Sequence, residues 1–279
     1  MLFRSDISHP NRFEIQMKNI LENGLIYLGT GVDLVNKENG KFIKHYQEPS
    51  THGAIAWKLL YASAFIHATT IGRKDMIVEV GGYNPNYRKY EDADLWRRLI
   101  FKGACANLPH NLYTYRTTFK PITNYMEDII VSVHQAYFAD LINKKVSRDA
   151  ILYLCNSGRF DLANSKIDTF EIIQILTDAF YAIKIKSWFA QSDYADVENQ
   201  LWKLLQPLPT RSEKTVTDYI DFFWSRTGEA EKENLYWEYK RWPRILKLFG
   251  LLCTSPKQVC RKIASKINLD EKRNKKATV

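Results

Sequence analysis

Cysteine is sparse in this 279-residue chain, and its four cysteines, Cys105, Cys155, Cys253 and Cys260, form no Cys-x-x-Cys pair. That spacing argues against a zinc site or a disulfide framework and for reduced thiols in a reducing compartment. No apolar run is long enough to span a bilayer, and Met1 to Ser5 does not read as a signal peptide. There is no internal repeat. The lysine-rich end, Lys272 to Lys276, is the one biased tract and is expected to be disordered. No recognised nucleic-acid module accompanies the basic residues, so a nucleic-acid partner is not expected. What is present, 45% hydrophobic and 13% aromatic residues, suffices to bury a core in one or two domains.

The net charge of +9 is unevenly spread. Tyr239 to Val279 holds twelve Lys/Arg and two acids, which leaves the rest of the chain near neutrality. In Trp237 to Ile267, the apolar Trp237, Trp242, Ile245, Leu246, Leu248, Phe249, Leu251 and Leu252 alternate with Lys240, Arg241, Arg244 and Lys247. The pattern suits a helix lying on an anionic membrane surface, and it also suits a core-packing helix with a solvated basic face.

Taken in order, Asp6 to Pro10 looks like a helix start, with Ser8 as cap and Pro10 in the first turn. Phe13, Met17, Ile20 and Leu21 then form an apolar stripe that Gly24 ends. Leu25 to Val35 and Lys41 to Tyr46 read as strands joined by a turn at Asn36 to Gly40. A helix is expected over His52 to Ala62, a strand over Phe65 to Ile71, and a short helix from Lys74 to Val80 stopping at Gly81-Gly82. Ala104 to Leu108 and Leu112 to Arg116 read as two short strands. Beyond them, Ile129 to Ile142, Phe170 to Phe189, Val197 to Leu205, Val216 to Trp224 and Leu235 to Phe249 have helical spacing, with breaks at Pro207-Leu208-Pro209 and Gly228.

The most informative stretch is Tyr83 to Trp96. Glu91, Asp92 and Asp94 fall within four residues, directly after a loop of tyrosines and proline and directly before Leu95-Trp96-Arg97-Arg98-Leu99-Ile100. They sit at a helix N-terminus, where the macrodipole is expected to keep a carboxylate ionised and its pKa low. Capping explains one acid and leaves the other two and the preceding tyrosines unexplained.

A resemblance accounts for the rest. Asp6-Ile7-Ser8-His9-Pro10-Asn11-Arg12-Phe13-Glu14-Ile15-Gln16 resembles the segment that follows the metal-binding Asp-x-Asp motif of family-two glycosyltransferases. Gly29-Thr30-Gly31-Val32, His67-Ala68-Thr69-Thr70, Val80-Gly81-Gly82-Tyr83, Glu91-Asp92-Ala93-Asp94-Leu95-Trp96 and the Tyr113 to Arg116 strand are similar to that family's acceptor-side half, in order and spacing. The match covers about residues 6 to 118. It implies an α/β fold: a partial GT-A (Rossmann-like) domain over 1–120 lacking its N-terminal nucleotide-binding half, followed by an α-helical region over 121–279 with the basic tail. It also implies transfer of a sugar from a nucleotide-sugar to an acceptor hydroxyl with inversion, in cell-surface polysaccharide or glycolipid synthesis.

The roles the resemblance implies follow residue by residue. Asp92 matches the base of the family's Glu-Asp pair, which must take the proton of a hydroxyl too weakly nucleophilic on its own. Glu91 and Asp94 would orient the acceptor or hold the helix start. Tyr83, Tyr87 and Tyr90 would stack on a sugar ring or pack their loop. His67 stands where the family has a histidine before its acceptor-side strand, with a half-buried structural histidine as the alternative. Arg116 belongs to a Tyr-Arg-x-His ending that here reads Tyr115-Arg116-Thr117-Thr118, and threonine is a poor substitute for an imidazole ligand.

Asp6 is the remnant of the nucleotide side, because the Asp-x-Asp motif would end at Ser5. A divalent metal, Mg or Mn, is expected in the full-length protein, with its ligands absent from this chain. The expected partners are a nucleotide-sugar, a glycan or lipid-linked acceptor and an anionic membrane surface; the expected location is cytoplasmic or peripheral at the inner face of the membrane. The alternative from another class is a non-catalytic helical protein that binds an acidic surface through its tail. Met1 to Ser5 is expected to be foreign to the gene, since GTG-CTC-TTC-CGA-TCT, the end of a common sequencing adapter, encodes those residues. The polypeptide alone is then expected to be inactive and aggregation-prone.

Overall fold

The computed structural model describes residues 6–117, 124–155 and 169–205. By internal contacts the chain divides into Met1–Thr227 and Gly228–Val279, and every described residue belongs to the first unit. The expectations for Met1 to Ser5, for Thr118 and for the helices and basic tail beyond Leu205 lie outside the described residues.

The described unit is a mixed α/β structure. Strand β1 (Ile7–Ser8) leads into helix α1 (Arg12–Asn23), then β2 (Tyr27–Asn36), β3 (Phe42–Tyr46) and α2 (His52–Lys58). A 3-10 turn at His67–Thr69 precedes β4 (Ile71–Gly72), α3 (Lys74–Glu79), α4 (Glu91–Leu99) and β5 (Cys105–Thr117). Four helices follow: α5 (Asn124–Ile142), α6 (Arg148–Cys155), α7 (Thr169–Ile185) and α8 (Asp193–Leu205). The sheet order is β1-β5-β2-β3, with β4 also paired to β2. Strands β2 and β5 run parallel and the other pairs antiparallel. Six consecutive residues of β2, Tyr27 to Val32, are buried, as befits a central strand covered on both faces.

Helix α1 turns a different face inward from the expected one, and of the apolar stripe only Ile20 is buried. Phe13, Met17 and Leu21 are 56%, 47% and 76% exposed, whereas Arg12, Gln16 and Ile20 point inward. The reason is hydrogen bonding. Gln16 Nε2 donates to Leu28 O at 3.1 Å and Thr69 O at 2.9 Å, and Arg12 Nη1 donates to Thr69 O at 3.0 Å. Buried carbonyls demand donors that an apolar face cannot supply. Ser8 is not the cap: Asn11 holds that position, and Ser8 Oγ accepts from Arg12 Nε at 2.7 Å. Gly24 does end the helix, at φ +61°.

Two strand expectations also change. Across Phe65 to Ile71 only Ile71 enters the sheet, because threonine hydroxyls take the backbone bonds a ladder would need. Thr69 Oγ1 donates to Ile66 O at 2.8 Å and accepts from Thr30 N at 3.0 Å; Thr70 Oγ1 donates to His67 O at 2.9 Å. Conversely, the two short strands after residue 104 are one strand. Its pairing with β2 slips at Pro109-His110, so that Thr30 faces Leu108 but Gly31 faces Asn111. Proline cannot donate to the ladder, and the slip is where it sits.

One core runs through residues on either side of position 120. Trp57 of α2 meets Phe180 of α7 edge-on at 6.1 Å, and Tyr137 of α5 donates to Ala56 O at 3.0 Å. Thr51, the cap of α2, donates to Asp193 Oδ1 at 2.7 Å. The fit is close at Gly53, where a Cβ would lie 2.5 Å from Trp188 O. Cys105 and Cys155 are free thiols, and burial pushes both up to about 12, so neither is a ready nucleophile.

Candidate active site

Helix α4 starts from a backbone conformation that non-glycine residues avoid. Tyr90 has φ +66° and ψ 13°, a left-handed geometry costing about 1–2 kcal/mol. Its side chain holds it there. The hydroxyl lies 3.1 Å from His134 Nε2, and the Arg97 guanidinium lies 5.4 Å from the ring centroid. His134, on α5, is fully buried and its Nδ1 lies 2.8 Å from Leu60 O, so Nδ1 carries the proton and Nε2 accepts. Arg97 Nη2 at 2.7 Å and the Cys155 thiol at 3.2 Å also point to Nε2. Burial, then the Arg97 charge, hold the imidazole well below its ordinary pKa. Arg97 is 3% exposed and donates to Leu59 O at 3.1 Å. Its Nη1 is buried with no hydrogen-bond partner among the described residues.

The three acids of the first turn diverge from this anchored start. Asp94 is buried and paired with Arg98 at 2.5 Å. Arg98 continues to Gly82 O at 2.8 Å and to Val80 O. The pair thereby ties α4 to the Gly81-Gly82 turn, whose φ values of +86° and +65° only glycine adopts readily. That turn delivers Tyr83. Glu91 is half-buried beside Asp92.

Asp92 is the acid that meets other candidate residues. Its Oδ2 lies 3.7 Å from His67 Nδ1, and His67 Nε2 lies 3.1 Å from the Tyr83 hydroxyl. Oδ1 accepts the Ala93 N–H at 2.7 Å. Nearby, Trp96 Nε1 donates to the Tyr27 hydroxyl at 3.1 Å, which donates to Thr70 Oγ1 at 2.9 Å; His67 stands edge-on to Trp96 at 6.2 Å. In these surroundings burial raises the Asp92 pKa, and the neighbouring Glu91 adds to the rise, against the lowering by the Ala93 N–H and His67. The expected macrodipole-lowered carboxylate is thus corrected: desolvation outweighs the helix end.

Of the loop tyrosines, Tyr90 is tied to His134, and Tyr87 is 2.9 Å from Ser132 Oγ on α5. Tyr83 remains 46% exposed. Asp6 and Arg116 come together elsewhere, at the β1–β5 edge, where Asp6 Oδ1 accepts the Arg116 backbone N–H at 2.9 Å. The structure therefore groups Asp92, His67, Tyr83 and Glu91, and separately Asp6 with Arg116.

Sequence reasoning missed Arg97 and His134. Both leave a signal, since each is a polar residue on the apolar stripe of its helix: Arg97 after Ala93 and Trp96, His134 between Val131 and Phe138. Among the described residues no group of three or more His, Cys, Asp or Glu is placed to hold a metal ion. The described residues thus offer no ligand set for the divalent metal that the resemblance implies.

Comparison with known proteins bears on this arrangement. Over 103 residues, 37% of this chain, the sequence is 39% identical to the O-antigen biosynthesis glycosyltransferase WbnJ of Escherichia coli. Over that stretch the chain is similar to a glycosyltransferase. The match spans 39% of the length of that relative. No family model matches. Two crystal structures of S. aureus TarS, the second of residues 1–349, share 13% and 14% identity with this chain at TM-scores of 0.36 and 0.37, covering 71% and 79% of it and 36% and 64% of theirs.

Proposed function

We propose that this protein transfers a sugar from a nucleotide-sugar donor to an acceptor hydroxyl, with inversion, in the synthesis of a cell-surface polysaccharide or glycolipid. The observation that carries this reading is the state of Asp92. One of its oxygens is committed to the Ala93 N–H, while Oδ2 stands 3.7 Å from His67, beyond hydrogen-bond reach. Oδ2 is free to accept an incoming hydroxyl. As the acceptor oxygen bonds to the anomeric carbon and the bond to the nucleotide diphosphate breaks, the hydroxyl proton passes to Oδ2. A raised proton affinity suits that role, because a base closer to the working pH drives the transfer better. His67 and the exposed Tyr83 line the same approach and would hold neighbouring sugar hydroxyls. Asp94 acts through Arg98 and positions the loop.

Binding of the donor base and diphosphate is left to residues beyond this cluster. The basic stretch around Lys240 to Lys247 would bring the enzyme to an anionic membrane face where a lipid-linked acceptor resides. Among the described residues no helix is long and apolar enough to cross a membrane. The stereochemical claim is tested by proton NMR of the product formed from an α-linked donor. A β-linked product is expected, and an α-linked product would overturn the single-displacement reading.

A further inference from the structure

Well along β2 from Asp92, the sheet surface opens into a cavity of about 660 Å³ lined by His45, Gln47, Pro109, His110, Asn111 and Leu112. Tyr27, which contacts Trp96 beneath the Asp92 cluster, lies four residues before Gly31 and six before Asp33. At ~3.3 Å per residue the hollow is roughly 13–20 Å along the strand from that contact. It forms where the β2–β5 pairing slips at Pro109-His110, the kind of irregularity that re-aims side chains beside binding sites. Gly31 makes room for it: a Cβ there would lie 2.3 Å from Asn111 Oδ1 and 2.8 Å from Gln47 Cγ.

His45 of β3, Gln47 just beyond it, and His110 and Asn111 of β5 supply its polar lining, and Asp33 of β2 is bonded to two of them. Asp33 Oδ1 is 2.7 Å from both His45 Nδ1 and Asn111 Nδ2. Gln47 Nε2 donates to Pro109 O at 3.0 Å. These contacts orient the groups and leave capacity over: Asp33 Oδ2, His45 Nε2, Gln47 Oε1 and both ring nitrogens of His110 have no hydrogen-bond partner among the described residues. Beside them the Phe42 ring, 56% exposed, lies against His45 at 4.9 Å between centroids.

We propose that this hollow binds a pyranose unit of a glycan. The amide and imidazole groups that line it offer the mixed donors and acceptors that hydroxyls, which both donate and accept, require, and the Asp33 carboxylate bonded to two of them fixes their orientation. An exposed aromatic ring offers an apolar face for a sugar's C–H surface. No lysine or arginine lines the cavity, which disfavours a phosphate or nucleotide, and only Leu112 and Pro109 are apolar, which disfavours a lipid chain. The volume lies within the ~300–1,000 Å³ usual for small-molecule sites. The choice of a pyranose among polyhydroxyl ligands rests on the transferase reading; the hollow would hold a sugar residue of the glycan away from the reacting hydroxyl.

The test is NMR titration of the chain with methyl glycosides of glucose, galactose and the two N-acetylhexosamines, with glycerol as control. At least one glycoside is expected to shift the His45 ring and the Gln47 and Asn111 side-chain amide signals saturably, with a Kd on the order of 1–10 mM. Asp33→Ala and Gln47→Ala should each weaken it about tenfold, and Asp92→Asn should leave it unchanged. Absence of shifts with every glycoside, equal shifts with glycerol, or shifts indifferent to both hollow variants would overturn the proposal. Because the readout is binding, its failure would leave the role of Asp92 untouched.

Discussion

Lowering the pH from 7 to 5 should destabilise the fold through two histidines held neutral, the fully buried His134 and the half-buried His52, before most carboxylates begin to titrate. His134 is kept neutral by burial and by Arg97, and its Nε2 lone pair accepts from Arg97 Nη2 at 2.7 Å, with the Tyr90 hydroxyl and the Cys155 thiol beside it. His52 is pushed by burial down to about 4, and its Nδ1 accepts the Cys105 N–H at 3.2 Å. In the unfolded chain both titrate near 6.5. Below that value the unfolded state binds two more protons than the folded one, so stability falls with pH. The limiting slope is about 1.4 kcal/mol per pH unit for each histidine. At pH 5 the two together remove about 4 kcal/mol, a large part of the ~5–15 kcal/mol that holds a typical domain. Urea midpoints measured at half-unit steps would show the slope, and His52→Asn should halve it. A midpoint unchanged between pH 7 and pH 5 would refute the neutral assignment of both residues. It would also remove the anchor proposed for Tyr90.

Asp92 works in the opposite sense. Its folded pKa is raised, so its ionisation opposes folding at neutral pH, and the penalty vanishes as pH falls below its unfolded value. Asp92→Asn, which keeps the oxygen that accepts from Ala93, should therefore raise the melting temperature at pH 7 by roughly 2–4 °C for each kcal/mol relieved. A lower melting temperature would contradict the burial argument. On α1, Gln16→Leu should cost about 1–3 kcal/mol, because Leu28 O and Thr69 O lose a donor. Leu21→Ser, at a 76% exposed position, should change stability by under about 0.5 kcal/mol. Chemical denaturation distinguishes these outcomes, and the reverse ranking would mean that α1 packs the other way round.

The contrast on α1 shows where the sequence is legible. Periodicity located the helix and glycine its end, but the inward face was chosen by carbonyls of Leu28 and Thr69, distant in sequence, that no local pattern displays. Helix α6 went unread for a different reason. Ala150 to Leu154 are all buried, so there is no polar face and no 3.6-residue rhythm to detect. The acids before Leu95 stood out because three carboxylates in four residues are rare, and the motif order around them pointed to a base. Which acid had a free oxygen was not legible, since it depends on Arg98 reaching Asp94 and on the wall of Trp96 and Tyr27. Arg97 and His134 form a contact across 37 residues, and only the packing of α5 on α4 brings them together.

The most direct test of the central claim is the rate of sugar transfer by Asp92→Asn, set beside Glu91→Gln, in the protein that contains this segment. Removing a general base should lower kcat by about 10²–10⁴-fold while the KM for the donor and the fold stay nearly unchanged, and Glu91→Gln should retain most of its turnover. Near-normal turnover by Asp92→Asn, with loss in Glu91→Gln, would contradict the account.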